Sequence, residues 1–398
     1  MSSVAVDYSL SPELEQDIRV WRPRFLVTGA LALALCAIGA FFTPAQFFQS
    51  YLWSYTFFVG VSLGCMALAM LQFLTGGAWG VVIRRICESA SRTLPLLAVL
   101  FVPVAAGIPW LYRWSDPKVV AADEIIRHKH VYLNVPFFLI RAAFYFAGWM
   151  AIAYLLNRWS AEQDRVGGRQ LHRKLQLISG PGLIFWGFSV TFMAVDWVMS
   201  TDPRWFSTMF GLLFLAGQAL SSLAFAITLT VILMRRRPFL EVITPRHLHD
   251  LGKLLLAFVM VWAYFSFSQW LIIWSGNMAD EIPWYVERLH GGWQYVALAL
   301  TLFHFALPFL LLLSRELKRA APLLTSVAVC ILVMRLVDLY WLVAPDFRKG
   351  QFGVSWMDFA APVGLGGIWL WFFTVQLGKR PLLPVGDPHL QEALEHGR

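Results

Sequence analysis

"FMAVDWVMSTDPRWFSTMFGLLF", residues 192–214, reads as two apolar helices meeting at a turn, yet it carries Asp196 and Asp202. What those aspartates mean depends on the solvent around them, and composition settles that. Apolar residues make up 58% of the chain and charged residues 14%, with a mean hydropathy of +0.61. Soluble domains hold about 45–50% and about 25% respectively. The reading is an all-α polytopic membrane protein.

Working outward from this stretch, apolar runs long enough to cross about 30 Å of hydrocarbon lie near 25–43, 51–74, 94–113, 135–156 and 174–199. Five more lie near 206–234, 252–275, 291–313, 320–343 and 356–378. Ten transmembrane helices therefore form one membrane domain, residues 25–378, between an N-terminal tail (1–24) and a C-terminal tail (379–398). No polar stretch is long enough to form a soluble domain with its own core. The tail "SPELEQDIRVWRPRF" is long and partly acidic, so the first span is not read as a cleavable signal.

Basic residues set the expected orientation, because cytoplasmic loops retain them. Twenty-two Lys and Arg fall on the side of the two tails, including Arg84, Arg85 and Arg92, and eight on the other, including Arg288, Arg348 and Lys349. Both termini are expected in the cytoplasm. The net charge of +8 is thus a topology signal facing lipid headgroups, and nucleic acid is excluded as a partner. The segment "RRRPFLEVITPRHLHDLGK" between the sixth and seventh helices is read as a tether.

Cysteine and histidine narrow the chemistry. Cys36, Cys65, Cys87 and Cys330 are scattered with no CxxC spacing, which argues against an iron-sulfur or zinc site. Of nine histidines only His304 sits deep in a span, whereas a membrane b-type haem is usually held by two. The expectation is no metal and no redox centre in this chain.

An ionised aspartate at a helix centre costs about 2.5–3.5 kcal/mol on insertion scales, so such residues face bundle interiors and mark proton, ion or substrate paths. Asp196 has no partner at helical spacing in its own helix, so its counter-charge must come from another, and Arg141 lies in the outer part of the fourth. Arg335 and Asp338 are three apart on one face of the ninth, either a self-neutralising structural pair or part of a path. Asp202, before Pro203, is either a functional acid or a helix cap. Asp358 is read as solvated. His304, four residues before Pro308, either bonds a backbone group freed by the kink or carries protons. Gln269, Trp270 and Trp274 either line a polar and aromatic cleft or, for the tryptophans, anchor the interface.

"AVDWVMSTDP" and "LVDLYWLVAP" each place an aspartate seven residues before a proline, at the ends of the fifth and ninth helices. That echo fits two four-helix bundles, helices 2–5 and 6–9, with helices 1 and 10 peripheral.

Three longer stretches carry a family resemblance: "HRKLQLISGPGLIFWGFSVTFMAVDWVMSTDPRWFSTMFGLLFLAGQ" (172–218), "FSFSQWLIIWSGNMADEIPWYVERLHGGWQ" (265–294) and "ALTLFHFALPFLLLLSRELKR" (299–319). They resemble the ActF-type subunit of alternative complex III, in the polysulfide-reductase NrfD-like superfamily, over roughly residues 20–380. Thr201 and Arg204 depart from it, standing where an aliphatic residue and a histidine are expected, a difference read as touching only local surface contacts.

The resemblance implies a subunit of a bacterial quinol:cytochrome c or quinol:oxidase oxidoreductase in the cytoplasmic membrane. It implies as partners an iron-sulfur subunit, c-type cytochrome subunits, a sister NrfD-like membrane subunit and small membrane subunits. Menaquinol or ubiquinol would be the substrate, oxidised toward the outer face. Asp196, His304 and Asp338 are then proton-transfer candidates, Arg141 and Arg335 tune their charge, and Gln269, Trp270 and Trp274 are quinone-cleft candidates. Two other classes remain open: a secondary transporter, and a structural anchor for extrinsic redox subunits.

Overall fold

In hydrocarbon each backbone N–H and C=O must find its partner inside the protein, and a helix supplies these partners within one segment. The computed structural model describes residue 8, residues 10–348 and residues 351–396, and these are helical without strands. Lys349 and Arg398 from the charge count, and most of the first ten residues of the expected tail, lie outside them. Ten helices are long and apolar enough to cross a membrane. They are α1 (Pro12–Phe42), α2 (Pro44–Thr75), α3 (Arg84–Ala106), α4 (Val135–Val166) and α5, whose regular part is Arg169–Trp197. After these come α6 (Phe210–Leu233), α7 (Pro245–Gly276), α8 (Trp293–Leu313), α9 (Ala321–Val343) and α10 (Met357–Leu377).

Local chemistry sets many of the ends. Pro12, Pro44 and Pro245 take the first helical position, where a missing N–H costs nothing. Ser11 and Asn134 accept hydrogen bonds from the first turns of α1 and α4. Gly76 and Gly167, at φ of 67° and 68°, terminate α2 and α4 in a backbone region that side chains disfavour. Along α3, Pro95 and Pro103 each open a new short helix because they withhold an N–H from the preceding turn, so this span is a chain of short segments.

Helices α2–α5 form a closed ring of neighbours, as do α6–α9. The bundles meet through α2 against α6 and α9, and through α5 against α6, while α1 packs on α10 and α10 on α2. The two-bundle architecture with two peripheral helices expected from the sequence is therefore the architecture observed. At the seam Ser222 of α6 donates to the Val61 carbonyl of α2 at 2.8 Å. Gly29 of α1 lies directly against Gly364 and Gly367 of α10, an approach that any side chain there would prevent.

The Leu382 amide donates to the Tyr8 carbonyl at 2.9 Å, so the chain ends share one face, here termed proximal; the α5–α6 and α7–α8 connections share the distal face. Four expectations change on the proximal face. Residues 12–24 are part of α1 rather than a tail. The C-terminal segment is docked, with Leu382, Leu383, Asp387 and Ala393 buried. The expected tether folds into a helical turn, Phe239–Val242, and into the start of α7, where His247 caps the helix and meets the Ala393 carbonyl at 2.9 Å.

Arg84 and Arg85, expected in a loop, are instead buried at the start of α3. Arg84 donates to Glu88 at 2.9 Å and pairs with Asp387, and Arg85 pairs with Glu88 and Asp164. Arg84 and Arg85 look like part of a solvated loop only while Asp164 on α4 and Asp387, 303 residues from Arg84, are out of sight.

Candidate functional site

Two of the buried charge groups in the distal half, one in each bundle, hold the aspartates of the repeated motif. In the first, Asp196 at the end of α5 is fully buried and meets Arg141 of α4 in a two-pronged pair, Nε to Oδ2 and Nη2 to Oδ1, both 2.9 Å. Tyr145 donates its hydroxyl to the same carboxylate at 2.8 Å. The guanidinium lies over the rings of Tyr132 and Phe137, at 3.8 and 4.3 Å. Behind Asp196, Trp197 packs among Phe101, Phe146 and Trp149. The counter-charge from another helix that the sequence demanded is thus Arg141, and the pair is enclosed by aromatic rings. A planar fork against a carboxylate satisfies both groups at once, which such burial requires.

In the second bundle Arg335 and Asp338 of α9 pair side by side. The Arg335 guanidinium rests on bare Gly217 of α6, where a methyl group would collide with it. Unlike Asp196, Asp338 lines a cavity of about 610 Å³. Gln269 of α7 reaches into the same space, accepting from Ser207 at 3.0 Å and donating to the Tyr285 hydroxyl at 3.3 Å. Tyr285 and Trp270 line it too, with the rest mostly apolar side chains of α6–α9. Burial pushes the Tyr285 phenol up to about 12, so it remains an uncharged donor and acceptor at neutral pH.

The cavity exists because α7 and α8 part. They pack together toward the proximal face, where α8 ends at Leu313, and separate toward Trp293 at its distal end. Tyr264 and Phe267, on the cavity wall, are also exposed on the outer surface of the bundle, so the opening faces the lipid side. The Leu300–Ala306 part of α8 is a π-helix, just before Pro308, whose missing N–H breaks the regular ladder.

His304 lies on that π-helix, buried, with its ring edge-on to Trp262 at 4.2 Å between centroids. Neither ring nitrogen has a hydrogen-bond partner, so the expected bond to a freed backbone group is not made. Trp262 lines the cavity and His304 stands behind it. Trp270 lines the cavity, whereas Trp274 stacks on it at 5.6 Å and turns outward, 65% exposed. The structure therefore brings Asp338, Gln269 and Trp270 together and leaves Trp274 on the surface.

Asp202 does not cap α6, which starts at Phe210; it accepts from the Arg204 amide at 3.1 Å in a local turn, since Pro203 is followed by loop rather than helix. Asp358 is buried rather than solvated, accepting from Ser50 and Arg348, both at 2.7 Å.

Arg288, Asp346 and Thr201 form a group that sequence reasoning missed. Arg288 and Thr201 both donate to Asp346 at 2.5 Å, and Arg288 stacks on Trp284 at 3.6 Å. This ties the α5–α6 turn to the α7–α8 connection, so Thr201 is a buried inter-bundle contact and not a surface difference. Burial, opposed by Arg288, raises the Asp346 carboxyl above its ordinary range. The one local signal was Asp346 directly after Pro345, at the end of the repeated motif.

Among the described residues no three His, Cys, Asp or Glu side chains gather as a metal-ligand set. No protein-family model matches the chain, and no curated protein matches it.

Proposed function

We propose that this chain is a membrane subunit of a bacterial quinol-oxidising electron-transfer complex, placed in the cytoplasmic membrane with its proximal face inward. In this reading it contributes a quinol-sized cleft and a proton acceptor, and partner subunits carry the redox centres. The observation that supports it is the α7–α8 cavity. It is mostly apolar, opens toward lipid, and holds one buried carboxylate, one carboxamide and two phenols, Tyr264 and Tyr285, on its walls. An amphiphile with an isoprenoid tail and a small polar ring has those requirements: a lipid-side path for the tail and a few convergent polar groups for the head.

The chemistry that follows is limited. A quinol gives up two electrons and two protons; both electrons would leave to partner subunits that carry the redox centres, Asp338 would take one proton, and the other would pass to solvent on the distal side. Arg335 orients Asp338 for that step, while Gln269, fixed between Ser207 and Tyr285, orients the head group. The proton route of the first bundle, if Asp196 has one, starts from a closed site.

The test is mild-detergent purification from native membranes, followed by a spectrum and a quinol-driven cytochrome c reduction assay. Co-purifying c-type haem with activity is the expected result. In the assembled complex, Asp338→Asn should lower turnover at least about tenfold and Gln269→Leu should raise KM for quinol with less effect on kcat. A colourless protein without redox partners would defeat this reading, as would wild-type kinetics in both variants.

A further inference from the structure

A second cavity, of about 720 Å³, lies on the proximal face where the start of α1 meets the end of α10. Its walls carry four cations, Arg19, Arg22, Lys379 and Arg380, and a single carboxylate, Glu15, alongside apolar Ile18 and Val375. Two of the cations are already engaged. Arg19 pairs with Glu15 at 3.5 Å, and Arg380 turns inward, donating to the Asn157 carbonyl at 2.7 Å with Glu88 at 3.6 Å.

The other two are not neutralised. Arg22 donates through Nη2 to the Thr374 carbonyl at 3.1 Å, and its Nε is buried with no partner. Lys379 donates to the Gln376 carboxamide at 3.3 Å. Among the described residues neither has a carboxylate within salt-bridge distance. A buried guanidinium N–H without an acceptor is costly, and an anion between these two side chains supplies it.

Depth in the membrane identifies the anion. At 1.5 Å per residue α1 is about 46 Å long, some 16 Å more than the hydrocarbon core, so roughly its first ten residues stand clear of the acyl chains. α10 ends at Leu377, just before Lys379. Trp21, beside Arg22, is exposed with Arg24 over its ring at 5.1 Å, as expected of an interfacial anchor. Below it Val27, Leu31, Leu35 and Ile38 are exposed to lipid. The cavity thus sits where phosphate groups of a bilayer lie, with cations and apolar walls together.

We propose that it binds the phosphodiester of an anionic phospholipid, with Arg22 and Lys379 as the phosphate ligands. This assignment stands apart from the quinol reading, since the two cavities share no residue, one opening to lipid between α7 and α8 and the other lying on the proximal face.

The test uses the purified full chain in detergent, titrated with phosphatidylglycerol, phosphatidylcholine or inorganic phosphate and read by thermal melting. Phosphatidylglycerol should raise Tm by about 3–5 °C and the other two by less than about 1 °C. Arg22→Gln with Lys379→Gln should lose most of that rise, Arg22→Lys with Lys379→Arg should keep it, and Arg113→Gln with Lys118→Gln on the distal face should keep all of it.

Equal shifts with phosphatidylglycerol and phosphatidylcholine overturn the proposal, as does a full shift in the double glutamine variant. A full shift with inorganic phosphate alone overturns the lipid source in favour of a soluble anion. Native mass spectrometry of the wild type in an equal mixture of the two lipids decides independently of any variant: at least about a fivefold excess of bound phosphatidylglycerol is expected, and parity refutes it.

Discussion

In the α2–α5 bundle the Asp196 carboxylate is held by Arg141 and Tyr145 and shut in among rings; in the α6–α9 bundle Asp338, seven residues before the corresponding proline, is held by Arg335 and borders a cavity. The two sites occupy equivalent helices, yet their partners differ in origin. Asp196 is matched across helices, which draws α4 and α5 together; Asp338 is matched within α9, which leaves α7 and α8 free to part. A charge pair that spans two helices closes a bundle, and one that lies along a single helix does not.

The comparison breaks most directly at Asp196. Asp196→Asn leaves the Arg141 guanidinium buried without a counter-charge, a change that costs about 3–5 kcal/mol, and the protein should melt far below the wild type or be lost on purification. Replacing the pair together, Arg141→Met with Asp196→Leu, should recover most of that stability. Wild-type melting in Asp196→Asn would show that the first bundle is not closed by this pair.

Gly217→Ala comes next. Its methyl group meets the Arg335 guanidinium, and overpacking of this kind costs about 1–3 kcal/mol. The expected sign is a lower Tm together with weaker turnover in the proposed quinol assay, because Arg335 is paired with Asp338. An unshifted Tm would mean the guanidinium has room elsewhere.

Asp338→Asn should be milder for stability than Asp196→Asn, no more than about 2 kcal/mol, because position 338 borders a cavity whereas position 196 is shut in among rings. In the proposed quinol reaction its larger effect is expected on turnover. If the two asparagine variants destabilise equally, the contrast between a closed and an open site fails.

The smallest effect is expected at Glu287, beside the distal network. Burial first, and then Asp346, raise its carboxyl above the ordinary glutamate range. Its ionised form is therefore disfavoured in the folded state: the associated stability is present below the ordinary value of about 4.3 and is lost as pH rises through the raised one. Glu287→Gln should melt about 1–2 °C above the wild type at pH 7, with the gain gone below about pH 4. The size stays small because the side chain is partly exposed to solvent. A gain that persists in acid would point to packing rather than charge.

Particular residues show where the sequence could be read and where it could not. Hydropathy placed all ten spans, since crossing hydrocarbon demands long apolar helices whatever their neighbours. Arg335 with Asp338 was visible because three residues apart on a helix is a contact in itself. Asp196 announced the need for a partner, but not that Arg141 would meet it in a two-pronged pair with Tyr145 donating to the same carboxylate. Asp358, Asp346 and Arg288 were misread or missed because their partners are distant in sequence, as was the pairing of Arg84 with Asp387. Trp270 and Trp274 look alike in sequence, and only the rotation of α7 against its neighbours puts one in the cavity and the other on the surface.

What the sequence determined by itself is the solvent and the units: a bilayer protein of ten helices, repeated as four and four, with a basic face at its termini. Those follow from local terms, apolar length, backbone self-satisfaction and loop charge, which act along the chain. What the tertiary structure alone decided is which buried charges are closed off, which border an open cavity, and which cations on the proximal face lack a partner. Neutralisation and packing act through space, between segments whose order in the chain carries no record of how near they come.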